Sequence, residues 1–89
     1  MSGQELENFR VALLRVLDAN RTRFGLGVPA LGHLVMVYGF TAQEGDVIKD
    51  QVDYLCSKGL AEEVLKVVSR ENRAWRITDQ GTAFLDGRV

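Results

Sequence analysis

A change in hydrophobic period at Gly59 constrains the fold of this chain more than any other feature of the sequence. Before Gly59, apolar residues recur at helical spacing in three successive segments. After it, β-branched and apolar residues with polar neighbours are typical of two short strands and a tight turn. The sequence therefore predicts a mostly α fold with a β-hairpin (α+β). The predicted elements are helices over 4–20, 29–38, 41–58 and 79–85, a loop over 21–28, and a hairpin between 60 and 77.

The predicted core combines one apolar stripe from each helix with the inner face of the hairpin. On a helix, residues spaced by three and four positions share a face, so each stripe can be assigned from spacing alone. The inward-facing helical residues predicted in this way are Leu6, Phe9, Leu13, Val16, Leu17, Leu31, Leu34, Val35, Tyr38, Ile48, Val52, Leu55, Phe84 and Leu85.

Residues with special backbone or capping properties mark the helix ends. Gly39 and Gly59 are placed to end the second and third helices, Gly59 in the left-handed conformation. Thr41-Ala-Gln-Glu44 matches a capping box, which predicts that the third helix begins there. Thr78 is the predicted cap of the last helix.

The hairpin register is predicted from a tight turn at 70–73. If Glu71 and Asn72 are the two loop residues, Val68 lies opposite Trp75. The predicted inner face then consists of Val64, Val68, Trp75 and Ile77, and the predicted outward residues are Val67 and Arg76.

Length and composition indicate one soluble domain and give little indication of a partner. The 89 residues predict a single domain over 1–89. The net charge of −1 lacks the strongly basic balance typical of nucleic-acid-binding domains, so any DNA contact must depend on local charge. The single cysteine and the absence of a signal-like or membrane-spanning apolar run predict a cytoplasmic protein.

No set of residues predicts catalysis or metal binding. His33 has no partner at a useful spacing, and the predicted state of the lone Cys56 is a buried, inert thiol. Asp50 and Asp53 have a spacing that can hold a metal, but they lack a further ligand. We therefore expect neither an enzyme nor a cofactor, metal site or small-molecule substrate.

Two segments at a fixed spacing resemble the winged-helix pattern. The third helix ends in Ser57-Lys-Gly-Leu60, and the hairpin returns through Trp75-Arg-Ile-Thr-Asp-Gln-Gly81. Over residues 9–87 the chain also resembles small winged-helix proteins of Mu-like bacteriophages and prophages, through Phe24-Gly25, Tyr38-Gly39 and the run from Gln51 to Leu60. This resemblance implies a winged helix-turn-helix in a phage or bacterial-host context and a role in transcription regulation.

Our first hypothesis is binding of double-stranded DNA. In helix-turn-helix proteins the third helix enters the major groove, but here residues 44–57 contain four acids and one lysine. Positive charge lies instead on the hairpin, which favours a contact made by the wing, provided that its arginines are not neutralised by neighbouring carboxylates. The predicted DNA-binding residues are Thr41, Gln43, Lys49, Lys66, Arg70, Arg73 and Arg76.

The alternative hypothesis is a protein-interaction module that retains the fold and does not bind DNA. Its basis is the acidic third helix together with apolar residues at positions expected to be exposed, such as Val37 and Val67. Such a module would bind a phage or host protein or mimic the charge of DNA, whereas the DNA-binding regulator is expected to be a dimer. The predicted dimer or partner contacts are Val11, Leu14 and Met36.

Overall fold

The computed structural model describes residues 2–21, 24–41, 43–64 and 73–87. Within these residues the helical elements and the hairpin follow one another as predicted, so the α+β prediction is confirmed. The elements are α1 (Gly3–Ala19), β1 (Leu26–Gly27), α2 (Val28–Leu34), a 3₁₀ turn (Val35–Tyr38), α3 (Gly45–Ser57), β2 (Ala61–Val64), β3 (Ala74–Ile77) and α4 (Asp79–Asp86).

Helix α1 forms because it has a cap at its first turn and a continuous apolar stripe. The Ser2 hydroxyl oxygen accepts a hydrogen bond from the Glu5 backbone N–H at 3.2 Å. Phe9, Leu13 and Leu17 are each at most 1 % exposed. Each such burial stabilises the fold by about 2 kcal/mol, so the packing of this stripe holds α1 in place.

The second helical segment changes its winding part-way along. Leu31 and Val35 are fully buried, as predicted. From Val35 onward the chain forms a 3₁₀ turn with three residues per turn, which rotates the following side chains relative to the α-helical stripe. Tyr38 is consequently 42 % exposed, and the prediction that it faces the core is wrong. Gly39 ends the segment with a φ of 90°.

Helix α3 begins at Gly45, not at the predicted capping box. Its N-cap is Glu44, in an extended conformation and without a side-chain capping hydrogen bond. In the segment before the helix, the Phe40 ring contacts that of Phe9 edge-on, with ring centroids 5.1 Å apart. At its other end Gly59 has a φ of 75°, which confirms the predicted left-handed terminus.

The sheet has three antiparallel strands in the order β1-β3-β2. Strand β1 was not predicted; it pairs Leu26 with Trp75 within the segment expected to be a loop. Gly25 permits this approach, because its φ is 73° and a Cβ there would lie 2.7 Å from the Trp75 carbonyl oxygen. The central strand β3 therefore has neighbours on both sides.

The hairpin register differs from the predicted one. Trp75 lies opposite Glu63, and Val64 lies opposite Ala74, so the predicted pairing of Val68 with Trp75 is wrong. Residues opposite one another share a face, which places Ala61 with Ile77 on the core side and Val64 on the other side. Val67, Val68, Glu71 and Asn72 lie outside the described residues.

Helix α4 is fixed by its cap and by one apolar anchor. The Thr78 hydroxyl oxygen accepts from the Gly81 N–H at 3.0 Å, which confirms the predicted cap. Leu85 is 5 % exposed, whereas Phe84 is 38 % exposed, so only the former enters the core. The core cluster consists of Phe9, Ala12, Leu13, Leu14, Val16, Leu17, Leu31, Val35, Ile48, Val52, Leu55, Ala61, Trp75, Ile77 and Leu85.

Among the described residues, no helix has both the length and the apolar character needed to cross a lipid bilayer.

Candidate nucleic-acid interface

The outward side of α3 follows the predicted pattern. Ile48, Val52 and Leu55 are buried and hold the helix against the core. Opposite them lies a surface that we call the α3 face, in which Asp46, Lys49 and Asp50 are exposed and Asp53 is half-buried. The face thus presents three carboxylates and one ammonium group, and its local charge is negative.

Arg73, at the start of β3, connects the hairpin to α3. Its Nη2 lies 2.8 Å from Asp53 Oδ1, and its Nε donates a hydrogen bond to Glu63 Oε1. The guanidinium also lies over the Trp75 ring, 4.9 Å from the centroid. We call these four residues the Arg73 cluster. The hydrogen bonds to Glu63 and then to Asp53 raise the pKa of Arg73, so its charge is fixed but offset by two carboxylates.

The second hairpin arginine is neutralised in the same way. Arg76 Nε donates to Glu62 Oε1, and the two residues face each other directly in the β2–β3 register. Arg21, which follows α1, pairs with Asp18 at 2.7 Å and also donates to the Thr82 hydroxyl. The condition attached to the wing hypothesis, that the arginines be free of neighbouring carboxylates, is therefore not met by Arg73 or Arg76.

The other predicted DNA-binding residues lie in two places. Thr41 is exposed and Gln43 is half-buried in the segment before α3, where the Gln43 side-chain amide donates to the Thr41 carbonyl oxygen at 3.2 Å. Lys49 is exposed on the α3 face. Lys66 and Arg70 lie outside the described residues.

The three predicted partner contacts have different environments. Leu14 is 1 % exposed and belongs to the core, because it lies one position from Leu13 on the wide apolar face of α1; its prediction as a surface contact is wrong. Val11 is half-buried and packs against the core cluster. Met36 is 49 % exposed and the adjacent Val37 is 80 % exposed.

Two observations concern the residues considered for chemistry. Cys56 is half-buried, and this burial, followed by the nearby charges of Asp53 and Glu63, raises the pKa of its thiol to about 11. A thiol with this pKa is almost wholly protonated at neutral pH and is a poor nucleophile. Among the described residues no group of three His, Cys, Asp or Glu side chains is placed to hold a metal ion.

Comparisons with known proteins give matches in structure but not in sequence. No protein-family model matches the sequence. No curated protein is detectably similar to it. Among solved structures, the Staphylococcus aureus MepR–DNA complex is similar over 96 % of this chain and 67 % of that chain, at 17 % identity and a TM-score of 0.70. This chain has the winged-helix fold.

Two further solved structures allow the chain to be compared in length with known regulators. A MarR-family transcriptional regulator from Silicibacter pomeroyi is similar over 94 % of this chain and 51 % of that chain, at 20 % identity and a TM-score of 0.69. A PadR-family transcription regulator from Clostridium difficile is similar over 90 % and 81 %, at 13 % identity and a TM-score of 0.65. The chain thus spans about half the length of the Silicibacter regulator. At these identities the likeness concerns the fold.

Sequence reasoning missed the carboxylates that neutralise the hairpin. Glu62 and Glu63 lie near the hairpin arginines in the sequence, but the predicted register does not place them opposite Arg76 and Trp75. Asp53 is one of the four acids in residues 44–57, and nothing in the sequence indicates that Arg73 lies beside it. The correct hairpin register would have predicted the ion pair between Arg76 and Glu62. The contact between Arg73 and Asp53 depends instead on how α3 packs against the sheet.

Proposed function

We propose that this chain is a DNA-binding protein of the transcription-regulator type, in which the α3 face enters the major groove and the wing contacts the backbone. The observation that carries the proposal is the structure of the helix-turn-helix: α2 and its 3₁₀ turn support α3, whose outer side is accessible. The similarity to a DNA-bound winged-helix chain over nearly the whole of this chain supports it.

Charge sets the expected strength of binding. Of the seven predicted DNA-binding residues, Arg73 and Arg76 are already paired with carboxylates. The other predicted cations are Lys49, which is exposed, and Lys66 and Arg70, which lie outside the described residues. With one phosphate contact from each of these three cations, the logarithm of the association constant should fall with the logarithm of salt concentration with a slope of about −2.7. We therefore propose weak binding to nonspecific duplex, with a salt dependence shallower than that of proteins with six to ten phosphate contacts.

The test is fluorescence anisotropy of a labelled duplex titrated with the purified chain between low and moderate salt. We expect saturable binding with the slope given above, and Lys49→Gln should reduce its magnitude by about 0.9, because one phosphate contact is lost. The matched control is the double variant Glu62→Gln/Arg76→Gln, which removes a pair of zero net charge and should leave the slope unchanged. Absence of binding at the lowest salt contradicts the proposal.

A second pair of substitutions tests the role of the Arg73 cluster. Asp53→Asn combined with Glu63→Gln removes both carboxylates that offset Arg73. The freed guanidinium should add about one phosphate contact, so the slope becomes steeper by about 0.9 and affinity rises. An unchanged slope would show that Arg73 lies outside the contact surface.

The second candidate function is a protein-interaction module. The observation that favours it is the negative α3 face, since Asp46 and Asp50 are exposed and duplex DNA repels carboxylates. A partner with a basic surface fits this face. In the anisotropy experiment this function corresponds to the absence of DNA binding at every salt concentration, and it places the partner contact on the same residues.

The phage context, the cytoplasmic location in a bacterial host and self-association complete the proposal. A homodimer would present two copies of α3 to two half-sites, an arrangement common among helix-turn-helix proteins. Of the predicted contact residues, Met36 and Val11 retain accessible surface for such an interface. Analytical ultracentrifugation over a range of concentrations tests the dimer, and a monomer at every concentration contradicts it.

A further inference from the structure

Two carboxylates on the α3 face have no partner in the described part of the chain. Asp46 and Asp50 are exposed, and among the residues that the structure describes neither side chain accepts a hydrogen bond or forms an ion pair. Asp53, about one turn further along, is instead held by Arg73, whose Nη2 lies 2.8 Å from Asp53 Oδ1. One aspartate of the face is thus engaged within the protein, and two are accessible to a ligand.

Lys49 lies between these two aspartates in the sequence without forming an ion pair with either. It follows Asp46 by three positions, a spacing that makes side chains neighbours on a helix. The ion pairs of the described residues nevertheless do not include Lys49. The outer side of α3 therefore presents a hydrogen-bond donor together with two acceptors, and all three groups are exposed.

Both aspartates lie in the half of α3 that contacts bases in helix-turn-helix proteins. The helix begins at Gly45, so Asp46 and Asp50 occupy its first two turns. The N-terminal residues of a recognition helix are those that reach base edges. At 1.5 Å per residue the two positions are about 6 Å apart along the helix axis, and base pairs are spaced by about 3.4 Å. In a helix that lies along the groove, the two carboxylates thus face pairs about two steps apart.

The chemistry of the major groove determines which base a carboxylate can contact. An ionised carboxylate only accepts hydrogen bonds. Cytosine presents only a donor in this groove, its N4 amino group, whereas guanine presents two acceptors, thymine an acceptor and a methyl group, and adenine an acceptor beside its amino group. A carboxylate therefore binds the edge of cytosine and is repelled by the acceptor atoms of the other bases.

We propose that Asp46 and Asp50 determine sequence specificity by accepting hydrogen bonds from the N4 amino groups of two cytosines. This inference rests on the proposed function, because it requires the α3 face to enter the major groove. Lys49 makes the phosphate contact. The phosphates repel both carboxylates, which lowers affinity for duplex in general, and the loss is offset only where a cytosine faces each carboxylate. The preferred DNA is therefore rich in G·C pairs.

Modified cytosines test this proposal without a change in the charge or pairing of the duplex. The probes are three labelled short duplexes of G·C pairs in mixed order, which contain cytosine, 5-methylcytosine or N4-methylcytosine. In paired N4-methylcytosine the methyl group replaces the amino hydrogen that faces the major groove. In 5-methylcytosine a methyl group also enters the groove, but that hydrogen is retained. The second modification therefore controls for the size of the methyl group.

Fluorescence anisotropy at low salt measures the affinity of the purified chain for each duplex. We expect affinities for the cytosine and 5-methylcytosine duplexes within about twofold of each other, and about tenfold weaker binding of the N4-methylcytosine duplex, because the acceptors lose their donors. Equal affinity for all three duplexes, or an equal loss with either methyl group, would overturn the specificity and leave the proposed DNA binding intact. Absence of binding to every duplex would overturn both.

Substitutions assign the discrimination to the two aspartates. Asp46→Ala/Asp50→Ala should bind the three duplexes within about twofold of one another. The matched control is Asp79→Ala/Asp86→Ala, which removes the same charge from exposed positions on α4 and should retain the tenfold difference. Lys49→Gln should weaken binding of all three duplexes by the same factor, since its phosphate contact does not depend on cytosine.

The variants and the modified duplexes fail in different ways. A tenfold difference that persists in Asp46→Ala/Asp50→Ala would overturn the assignment to these residues, and so would its loss in Asp79→Ala/Asp86→Ala. If the first variant does not fold, as judged by circular dichroism, the comparison of the three duplexes with the unmodified chain decides the proposal.

Discussion

At the junction between the hairpin and α4, Gly81 occupies a position that has no room for a side chain. A Cβ at this position would lie 2.1 Å from the Leu60 carbonyl oxygen and 2.6 Å from Cγ1 of Ile77. The first of these atoms belongs to the backbone and cannot rotate away. The closeness of α4 to the chain at Leu60 therefore requires glycine here, which accounts for the Gly81 that ends the winged-helix sequence pattern.

We predict that Gly81→Ala lowers the free energy of unfolding by about 3 kcal/mol, because the added methyl group forces the backbone apart. Gly3→Ala is the matched control: no atom lies within 4 Å of a Cβ at Gly3, so the change should stay within about 0.5 kcal/mol. Urea unfolding followed by circular dichroism measures both values. Equal stability of the two variants would show that the contact at Leu60 is not tight.

The reactivity of Cys56 provides a prediction that depends on pH. Burial and neighbouring carboxylates raise the pKa of this thiol from an ordinary value of 9.0 to about 11, which disfavours the thiolate. At pH 8 the thiolate fraction is then lower than in an unperturbed thiol by roughly a hundredfold, and it grows as the pH rises towards the raised pKa. Alkylation by iodoacetamide should be slow at pH 8 and accelerate continuously up to pH 10. Rapid alkylation at pH 8 in the native protein would contradict the burial.

At the scale of the elements, two threonines with similar sequence signatures have different roles. Thr78 accepts from the Gly81 N–H and donates to the Gly59 carbonyl oxygen at 2.7 Å, so it joins α4 to the end of α3. Thr41 precedes three further residues before α3 begins, and the helix has no side-chain cap. The capping-box pattern at Thr41 is therefore present in the sequence without its structure.

Alanine substitution distinguishes these two threonines. Thr78→Ala should lower the free energy of unfolding by about 1–2 kcal/mol, through loss of the cap and of the bond to Gly59. Thr41→Ala should change it by less than about 0.5 kcal/mol. Thermal or urea unfolding of both variants gives the comparison, and a larger effect at Thr41 would mean that α3 begins at the predicted box in solution.

The elements that sequence predicts well are those whose signals are local. The ends at Gly39 and Gly59, the cap at Thr78 and the buried stripe of α1 all depend on residues within one or two helical turns. The errors arise where distant residues decide. The start of α3 is displaced together with the packing of Phe40 on Phe9. The hairpin register involves β1, a two-residue strand too short to leave a periodic pattern.

The candidate site was predictable in outline for the same reason. Helical spacing places Lys49 and its acidic neighbours outward without knowledge of any other element. The Arg73 cluster forms only when α3, β2 and β3 are packed together. In this cluster the positive charge of Arg73 is offset by two carboxylates. The number of arginines can be read from the sequence, but their carboxylate partners can be identified only from the structure.

For the whole molecule, the distribution of charge determines the DNA binding that we expect. Around the hairpin, Arg73 and Arg76 are offset by acids, and the α3 face is negative apart from Lys49. Arg10 and Lys58 belong to none of the described ion pairs, and both lie over the Tyr54 ring. We therefore expect a DNA contact in which shape and a few cations contribute, and in which binding is weak and has a shallow salt slope.

Two-dimensional NMR of the ¹⁵N-labelled chain, titrated with a short duplex at low salt, tests this account most directly. We expect the largest amide shifts at Asp46, Lys49 and Asp50 on the α3 face, and none at Val11 on α1. Shifts confined to α1, or no shifts at any duplex concentration, would contradict the placement of α3 against DNA.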